Sequence, residues 1–349
     1  MSEGKIASIG VDSPEPAASA SKYDRLIAEA KRNAAAQAIA VHPCDETSLR
    51  GAVEAAAMGL ISATLVGPAA KINNVAREHN LDIGKCELVD VAHSDAAASK
   101  AVELIRAGQG ELLMKGSLHT DELMRPVTAS ATGLRTERRI SHVFIMDVPT
   151  YPETLFITDA AINIFPDLDA KRDIVQNAID LFTQIGLGKP RVAILSAVET
   201  VTTKIPSTID AAALCKMADR GQITGAILDG PLAFDNAIDP EAARIKGIHS
   251  PVAGRAQILV VPDLEAGNML AKNLVYLSKA DSPGWYLVRA CPLCLHRVPT
   301  PFAAAWRRVP PPCFTLRRVA NPQASQPREP HGRDPGGQCG LLECQVSDL

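Results

Sequence analysis

Four loops of this sequence are polar or contain glycine, and each follows a short apolar segment. They are residues 114–126, 196–208, 228–237 and 250–272. In the first loop, "MKGSLHTDELMRP", Lys115 supplies a cation and Gly116 lets main-chain N–H groups approach a ligand. Ser117 and Thr120 add hydroxyls ahead of a helix N-terminus, which is a favourable place for an anion. The alternative is a capped turn, with Ser117 or Thr120 as the N-cap and Lys115 in solvent.

The elements around these loops alternate between short apolar strands and capped helices. Strands are predicted at, for example, "SATLVG" (62–67) and "RVAILSA" (191–197), and helices at "SDAAASKAVELIRAG" (94–108) and "TIDAAALCKMA" (208–218). This rhythm predicts an α/β fold with a mostly parallel sheet and helices on both faces. In such folds, ligands lie where the carboxyl ends of strands meet loops and helix N-termini.

Composition and motifs exclude several classes of protein. The net charge of −3 argues against a protein that binds nucleic acid through a basic surface, and no apolar run is long enough to cross a membrane. No Walker A loop or G-x-G-x-x-G turn occurs, which argues against ordinary nucleotide or NAD binding. Only three of the eight cysteines lie before residue 281, as in a cytoplasmic protein, and residues 1–21 are predicted to be a disordered leader.

Several segments together resemble the phosphate acetyltransferase and phosphate butyryltransferase family. The resemblance runs from about residue 22 to residue 281 and is carried by "MKGSLHTDELMRP", "RRISHVFIMDVPTYPETLFITDAAINIFP", "DGPLAFDNA" and "SPVAGRAQILVVPDLEAGNMLAKNLVYL". It implies two α/β lobes (22–148 and 149–282), similar to the isocitrate and isopropylmalate dehydrogenases, and a homodimer formed through the second lobe. The implied reaction converts acyl-CoA and phosphate to acyl phosphate and CoA, without a metal or other cofactor.

The resemblance also implies site residues. Lys115, Gly116, Ser117 and Thr120 would line the phosphate or pantetheine side, and Arg125 would lie near the substrate. Asp229 and Asp235 would be cleft carboxylates, and with Ser117 they are the predicted catalytic residues. The remaining predicted binding residues are Ser250, Gly254, Arg255, Gly267, Asn268 and Lys272. For Arg125 the alternative is a helix-surface role; for Asp229 and Asp235 it is a turn or cap role; and for Asn268 and Lys272 it is an ordinary helix-end role.

After residue 282 the family pattern stops. The family continues with "GARVP" and a motif of the "SRADS" type, whose Ser-Arg pair and nearby carboxylate are its principal catalytic and phosphate-binding groups; "SRADS" is absent here. Residues 281–349 instead contain 11 Pro, 5 Cys, 8 Arg and no Lys. Codons for this stretch, read one base out of frame, can spell "AGLVLGARVPLVLTSRADSV". We therefore predict a one-base slip near Ser282–Pro283, in the gene or in the determination of its sequence.

The slip has structural and functional consequences. Residues 283–349 are predicted to form a Pro/Arg/Cys-rich tail that is largely disordered, with a weak strand at 287–289. The pair Cys291 and Cys294 lacks the second pair that a zinc site needs. The expected protein is an acyl-CoA:phosphate acyltransferase scaffold with impaired activity. The alternatives are a non-catalytic CoA-binding dimer, and a metal- and NAD(P)-dependent dehydrogenase of similar fold. Acetyl- and butyryl-preferring members share these motifs, so the sequence does not give the acyl chain length.

Overall fold

In a computed structural model of the chain, the described residues are 22, 27–28, 31–32 and 34–281, together with the backbone of 284–288 and 291–295. The strands are β1 Ala36–Val41, β2 Ile61–Gly67, β3 Glu87–Asp90, β4 Leu112–Lys115, β5 Ser141–Met146, β6 Leu155–Thr158, β7 Arg191–Leu195, β8 Ile227–Leu232, β9 Ile258–Val260, β10 Gly284–Val288 and β11 Cys291–Leu295. The helices are α1 Glu46–Ala57, α2 Ala69–Glu78, α3 Ser94–Arg106, α4 Thr120–Thr128, α5 Leu168–Gln184, α6 Pro206–Asp219, α7 Phe234–Ile238, α8 Pro240–Ile245 and α9 Leu264–Tyr276.

The strands form one sheet in the order β3-β2-β1-β4-β11-β10-β5-β6-β9-β7-β8. Seven of its ten neighbouring pairs are parallel, so the predicted mostly parallel α/β fold is confirmed. Chain contacts divide the protein into units 1–316 and 317–349, and the second unit lies outside the described residues. The predicted lobe boundary after residue 148 falls between β5 and β6, which are neighbours in the sheet. The two-lobe division stays a prediction.

Strand direction reverses three times in the middle of the sheet, so the two ends of the sheet run in opposite directions. The strands β1 to β4 are parallel to one another and to β11, whereas the three pairs from β11 to β6 are antiparallel. The strands β6, β9, β7 and β8 are again parallel to one another. Since an odd number of reversals separates the two sets, the carboxyl ends of β1–β4 lie at the same edge of the sheet as the amino ends of β6–β9. We call this edge the first edge and the other the second edge.

Helices cover both faces of the sheet, as the sequence predicts. Successive strand residues point to opposite faces, and Ala38 and Ile39 of β1 accordingly belong to two different hydrophobic cores. One core covers the first face along both halves of the sheet and includes α1, α2, α5 and α6. The second face carries two separate cores, one with α3 and α4 and the other with α7 and α9. The second face is therefore divided between the two halves of the chain.

Several helices begin where carboxylate caps predict a start. Asp45 accepts a hydrogen bond from the N–H of Ser48 at 2.8 Å, and Asp167 accepts one from Ala170 at 2.8 Å. Asp263 does the same for Ala266 at 2.9 Å. Such caps satisfy the N–H groups that the first helical turn leaves free. No helix among the described residues combines the length and apolar character needed to span a bilayer.

The first residues of the expected tail form part of the sheet. β10 and β11 lie between β4 and β5 in the sheet. The prediction that residues 283–349 are largely disordered stays a prediction. β10 includes 287–288 of the predicted weak strand. Pro292 lies opposite Leu287 in the β10–β11 pair, and the β11–β4 ladder has only two residue pairs, both after this proline. Because a proline has no N–H to donate, the pairing of β11 with β4 begins only after Pro292. Residues 1–21 and 296–349 lie outside the described residues.

Candidate functional site

The turn between β4 and α4 is packed directly against the end of β1. The N–H of Gly116 donates to the carbonyl of Val41 at 2.9 Å, and the N–H of Ser117 donates to the carbonyl of His42 at 2.9 Å. A Cβ on Gly116 would overlap the main-chain atoms of both Val41 and His42. Glycine is therefore required here because two backbone segments approach closely.

Ser117 is tied to His42 by both side chains. The Ser117 hydroxyl donates to the carbonyl of His42 at 3.0 Å and accepts from the N–H of Cys44 at 3.2 Å. Nδ1 of His42 lies 3.0 Å from the Ser117 carbonyl, so a proton on Nδ1 makes a hydrogen bond there. His42 itself has a positive φ of 53°. The predicted catalytic hydroxyl thus holds two loops together in this structure.

Lys115 and Thr120 flank this turn in different environments. Lys115 is the last residue of β4 and is buried, with Nζ 3.5 Å from the carbonyl of Gly116. Thr120 is the exposed first residue of α4. The N-cap is His119, whose N–H donates to the Glu122 carboxylate at 2.8 Å, so neither Ser117 nor Thr120 caps the helix. The arrangement presents a buried cation and a helix N-terminus at the same loop.

Arg125 lies one turn into α4 and its side chain is 69% exposed. Its guanidinium lies 3.5 Å from Asp95 and 3.8 Å from Asp121, both of which are also exposed. These long, solvated ion pairs contribute little to stability. Arg125 is therefore available to an anionic ligand without disruption of the core.

The two predicted carboxylates of the second half differ in burial. Asp229 is half-buried in the middle of β8, and its Oδ1 accepts the N–H of Gly230 at 2.8 Å. Asp235 is exposed on the short helix α7. Burial and the nearby charge of Asp229 raise the pKa of Cys215 to about 12, so this thiol is neutral at physiological pH. The structure shows no direct contact between Asp229 and Asp235 among its described side-chain hydrogen bonds.

The 250–255 loop is a tight turn against α7 and α8. The Ser250 hydroxyl accepts the N–H groups of Val252 and Ala253, at 3.0 and 3.2 Å. Gly254 has a φ of +78°, and a Cβ there would lie 2.5 Å from Cα of Pro240. Arg255 is exposed, and its carbonyl accepts Nε of Arg191 at 2.7 Å. Since Arg191 begins β7, Arg255 lies at the first edge of the sheet.

Gly267 and Asn268 lie at the second edge. A Cβ on Gly267 would lie 2.7 Å from the side chain of Val261, so glycine allows α9 to pack closely on the strands. Nδ2 of Asn268 donates to the carbonyl of Ala160 at 3.3 Å. Lys272, one turn further along α9, is exposed. Asn268 therefore makes a structural contact near the start of α9, as in the helix-end alternative given above.

The predicted site residues consequently form groups rather than one cluster. The β4–α4 turn and Arg255 lie at the first edge of the sheet, whereas Gly267 and Asn268 lie at the second edge. The sequence analysis expected the loops after the strands to meet at one edge of the sheet, and this holds only if all the strands run in the same direction. Here the direction reverses between β4 and β6, and the sequence analysis did not foresee this consequence.

Two polar groups were missed by the sequence analysis. His42 follows an apolar strand and precedes Pro43, which is the only signal that could have indicated it. Asp159 is 3% exposed and accepts hydrogen bonds from the N–H groups of Ala161 and Ile162, at 2.9 and 3.0 Å. Burial raises the pKa of Asp159 although these hydrogen bonds oppose the rise. It organises the loop that also holds Asn268.

Metal ligation is not evident where side chains are described. Within those residues, no group of three or more His, Cys, Asp or Glu side chains is placed to hold a metal ion. The pair Cys291 and Cys294 lies on β11, whose side chains fall outside the description.

Comparison with known proteins identifies the family. Residues 94–288 match the family model described as phosphate acetyl/butaryl transferase. The chain is 76% identical over 275 residues to a phosphate acetyltransferase of Rhizobium meliloti, covering 79% of this chain and 87% of that protein. It is 38% identical over 273 residues to a phosphate butyryltransferase of Clostridium beijerinckii, covering 78% and 90% of the two chains.

A solved structure gives the same assignment. The crystal structure of a branched-chain phosphotransacylase from Enterococcus faecalis V583 superposes with a TM-score of 0.65 at 27% identity, over 75% of this chain and 92% of that one. The α/β fold, the large share of each chain that is matched and the sequence identities all indicate the same family. The chain belongs to the phosphate acetyl/butyryl transferase family.

Proposed function

We propose that this protein is an acyltransferase scaffold for the reaction of acyl-CoA with inorganic phosphate, which gives acyl phosphate and CoA. The observation that carries this proposal is the intact β4–α4 turn in a member of this family. There Gly116 allows close backbone approach, Lys115 supplies a cation, and the N-terminus of α4 follows. Together these are the features that favour a phosphate or an oxyanion.

The chemistry assigns roles to the predicted groups. A phosphate oxygen attacks the thioester carbonyl carbon, the C–S bond breaks, and the phosphate proton passes through a carboxylate to the departing CoA thiolate. In reverse a carboxylate takes the proton of the CoA thiol, the role predicted for Asp229 and Asp235. These two residues lie in β8 and just after it, seven strand spacings from β4, which is on the order of 34 Å along the sheet, so within one chain they do not share a phosphate with Lys115. Lys115 and Arg125 are proposed to hold the phosphate oxygens, because arginine binds phosphate through paired N–H groups.

Activity of the chain as written is proposed to be impaired. The Ser-Arg pair that the family resemblance places after residue 282 is missing from the sequence. The family match ends at residue 288, close to the proposed one-base slip, which supports a change of reading frame. Removal of a transition-state donor of this kind typically lowers the rate about 10²- to 10³-fold. The chain would then bind CoA and turn over slowly.

The remaining proposals concern assembly and surroundings. We propose a cytoplasmic homodimer formed through the second lobe, which uses CoA and phosphate as substrates and no cofactor, nucleic acid or membrane. Three large apolar side chains in this part of the chain support the dimer: Phe165 is 77% exposed, Leu277 is 76% exposed and Met269 is 66% exposed. Contiguous exposed apolar patches, rather than single residues, mark interfaces, and Met269 and the exposed Tyr276 lie seven residues apart on one face of α9. Sedimentation of the M269E variant tests this, since a monomer is expected.

A direct assay tests the proposed function. The purified chain is incubated with acetyl-CoA or butyryl-CoA, with and without phosphate; free CoA is measured by its thiol and acyl phosphate by reaction with hydroxylamine. Phosphate-dependent formation of both products supports the proposal. CoA binding without turnover would instead favour the non-catalytic CoA-binding protein, and reduction of NAD(P) with a hydroxy acid and a divalent metal would favour the dehydrogenase.

A further inference from the structure

His42 lies beside the candidate phosphate loop but has no role in the chemistry proposed above. It follows β1 directly, and Val41 pairs with Lys115 in the β1–β4 ladder, so His42 and Gly116 are neighbours at the first edge of the sheet. The carbonyl of His42 accepts the N–H of Ser117 at 2.9 Å. An imidazole is therefore held next to the residues that are proposed to bind phosphate.

A hydrogen bond fixes which nitrogen of this imidazole carries the proton. Nδ1 of His42 lies 3.0 Å from the carbonyl oxygen of Ser117, and since a carbonyl oxygen can only accept, Nδ1 is the donor. In the neutral ring the other nitrogen, Nε2, then keeps its lone pair. The same arrangement, with Nδ1–H held by an acceptor and Nε2 left to take a proton, is found in histidines that act as general bases.

Nε2 of His42 is open to a ligand. Where side chains are described, Nε2 makes no hydrogen bond, and it is not one of the buried nitrogen or oxygen atoms that lack a partner. The residue as a whole is 9% exposed. The small accessible part of the ring therefore includes Nε2, at the edge of the sheet where the β4–α4 turn lies.

Other ionisable groups close to this turn are less suited to accept a proton. Burial raises the pKa of the Cys44 thiol to about 11, so the thiol stays protonated at physiological pH. The carboxylates of Asp45 and Glu122 accept main-chain N–H groups at the starts of α1 and α4, both at 2.8 Å. Asp229 and Asp235 belong to β8 and α7, seven strand spacings from β4.

We propose that His42 is a catalytic residue of this chain, and that its Nε2 carries the proton from the attacking phosphate to the departing sulfur of CoA. The bond from the phosphate oxygen to the carbonyl carbon forms, the C–S bond breaks, and the proton ends on the thiol, so the reaction needs no further reactant. The proposal rests on the proposed function, because it names the proton carrier for that reaction. It assigns to His42 the turnover that remains without the carboxylate segment expected after residue 282.

The test uses a substitution that separates the two ring nitrogens. In H42N the amide nitrogen can keep the hydrogen bond to the Ser117 carbonyl, and asparagine tolerates the positive φ at this position, but nothing replaces Nε2. The matched control is H119N, which removes an exposed imidazole from the same turn and puts a favourable N-cap in its place. Acyl phosphate formation from acetyl-CoA and phosphate is measured for the full chain and both variants.

The two variants should differ in rate and not in stability. H42N is expected to form acyl phosphate at least about 10²-fold more slowly than the wild-type protein, and H119N should stay within about threefold of it. The urea midpoints of the two variants should agree, so that a loss of rate in H42N is not a loss of fold. Wild-type turnover that H42N retains overturns the inference and leaves the proposed function standing.

A second measurement does not depend on activity. NMR of selectively labelled histidine nitrogens, in which the signals lost in H42N belong to His42, should show a proton on Nδ1 and none on Nε2 at mildly alkaline pH. A proton on Nε2 overturns the inference. Turnover by the frame-restored protein alone also overturns it, because Nε2 would then not suffice, whereas no turnover by either protein contradicts the proposed function and the inference with it.

Discussion

The hydroxyl of Ser117 donates a 3.0 Å hydrogen bond to the main-chain carbonyl of His42, and Nδ1 of His42 lies 3.0 Å from the carbonyl of Ser117. This reciprocal contact joins the loop after β1 to the loop after β4, 75 residues away in the sequence. It gives the candidate phosphate loop a defined shape before any ligand binds. Preorganised donors of this kind are what stabilise charge in a transition state.

Loss of the Ser117 hydroxyl should weaken this junction. S117A is expected to lower the free energy of unfolding by about 0.5–1.5 kcal/mol, because the N–H of Cys44 and the carbonyl of His42 both lose a partner. Urea denaturation measures the change. Ser62, exposed on β2, provides the control S62A, which should stay within about 0.5 kcal/mol of wild type. Equal effects of the two substitutions would contradict the assigned role of Ser117.

A methyl group on Gly116 should disrupt the same junction more strongly. G116A would force the carbonyls of Val41 and His42 apart, and we expect a loss of at least about 2 kcal/mol in unfolding free energy. The control is G84A, since a Cβ on Gly84 would meet only the flexible carboxylate of Asp82 at 3.1 Å. Thermal unfolding of both variants provides the comparison. A G116A protein as stable as G84A would contradict the close packing of Gly116 on the main chain of Val41 and His42.

Substitution of Arg125 should weaken the binding of phosphate without changing the stability of the fold. R125Q is expected to change the unfolding free energy by less than about 0.5 kcal/mol, because its ion pairs are long and exposed. If Arg125 binds phosphate, kcat/KM for phosphate should fall at least about tenfold. R172Q is the matched control, since Arg172 is also a helix arginine with two carboxylate partners. A similar kinetic loss in both variants would remove Arg125 from the site.

Buried His142 should make the protein sensitive to acid. Burial lowers the pKa of His142 to about 3, so the unfolded chain binds a proton near pH 6.5 that the folded chain does not bind. Its contribution to stability is therefore complete above pH 6.5 and is lost as pH falls toward 3. Between pH 7 and pH 5 the loss is about 2 kcal/mol.

The H142L variant tests this dependence because leucine cannot titrate. Urea unfolding at pH 7, 6 and 5 should show a shallower decline for H142L than for the wild-type protein. Parallel declines in the two proteins would show that other groups account for the acid sensitivity.

Local patterns predicted most of the elements but not their assembly. The strand predicted at 191–197 is observed at Arg191–Leu195, and the helix predicted at 94–108 is observed at Ser94–Arg106, because apolar period and capping residues are local signals. The five-residue helix α7 was missed, since a segment of that length carries little periodic pattern. Strand direction depends on which strands become neighbours, and this is a non-local property.

The candidate site shows the same limit. The Lys115–Ser117 turn could be predicted as an anion-binding loop because its residues are adjacent in the sequence. Its contact with His42 could not, because the partners lie on separate strands. A weak strand at 287–289 was predicted, but the position of β10 and β11 between β4 and β5 was not, because it depends on non-local contacts.

The central claim is that this chain has an acyl-CoA:phosphate acyltransferase scaffold whose catalytic segment was lost by a change of frame. The most direct test compares acyl phosphate formation by the chain as written with that of a version in which the frame is restored after residue 282, under identical conditions with acetyl-CoA and butyryl-CoA. We expect the restored protein to be at least about 10²-fold faster. Equal turnover by the two proteins, or no phosphate-dependent turnover by the restored one, would contradict the claim.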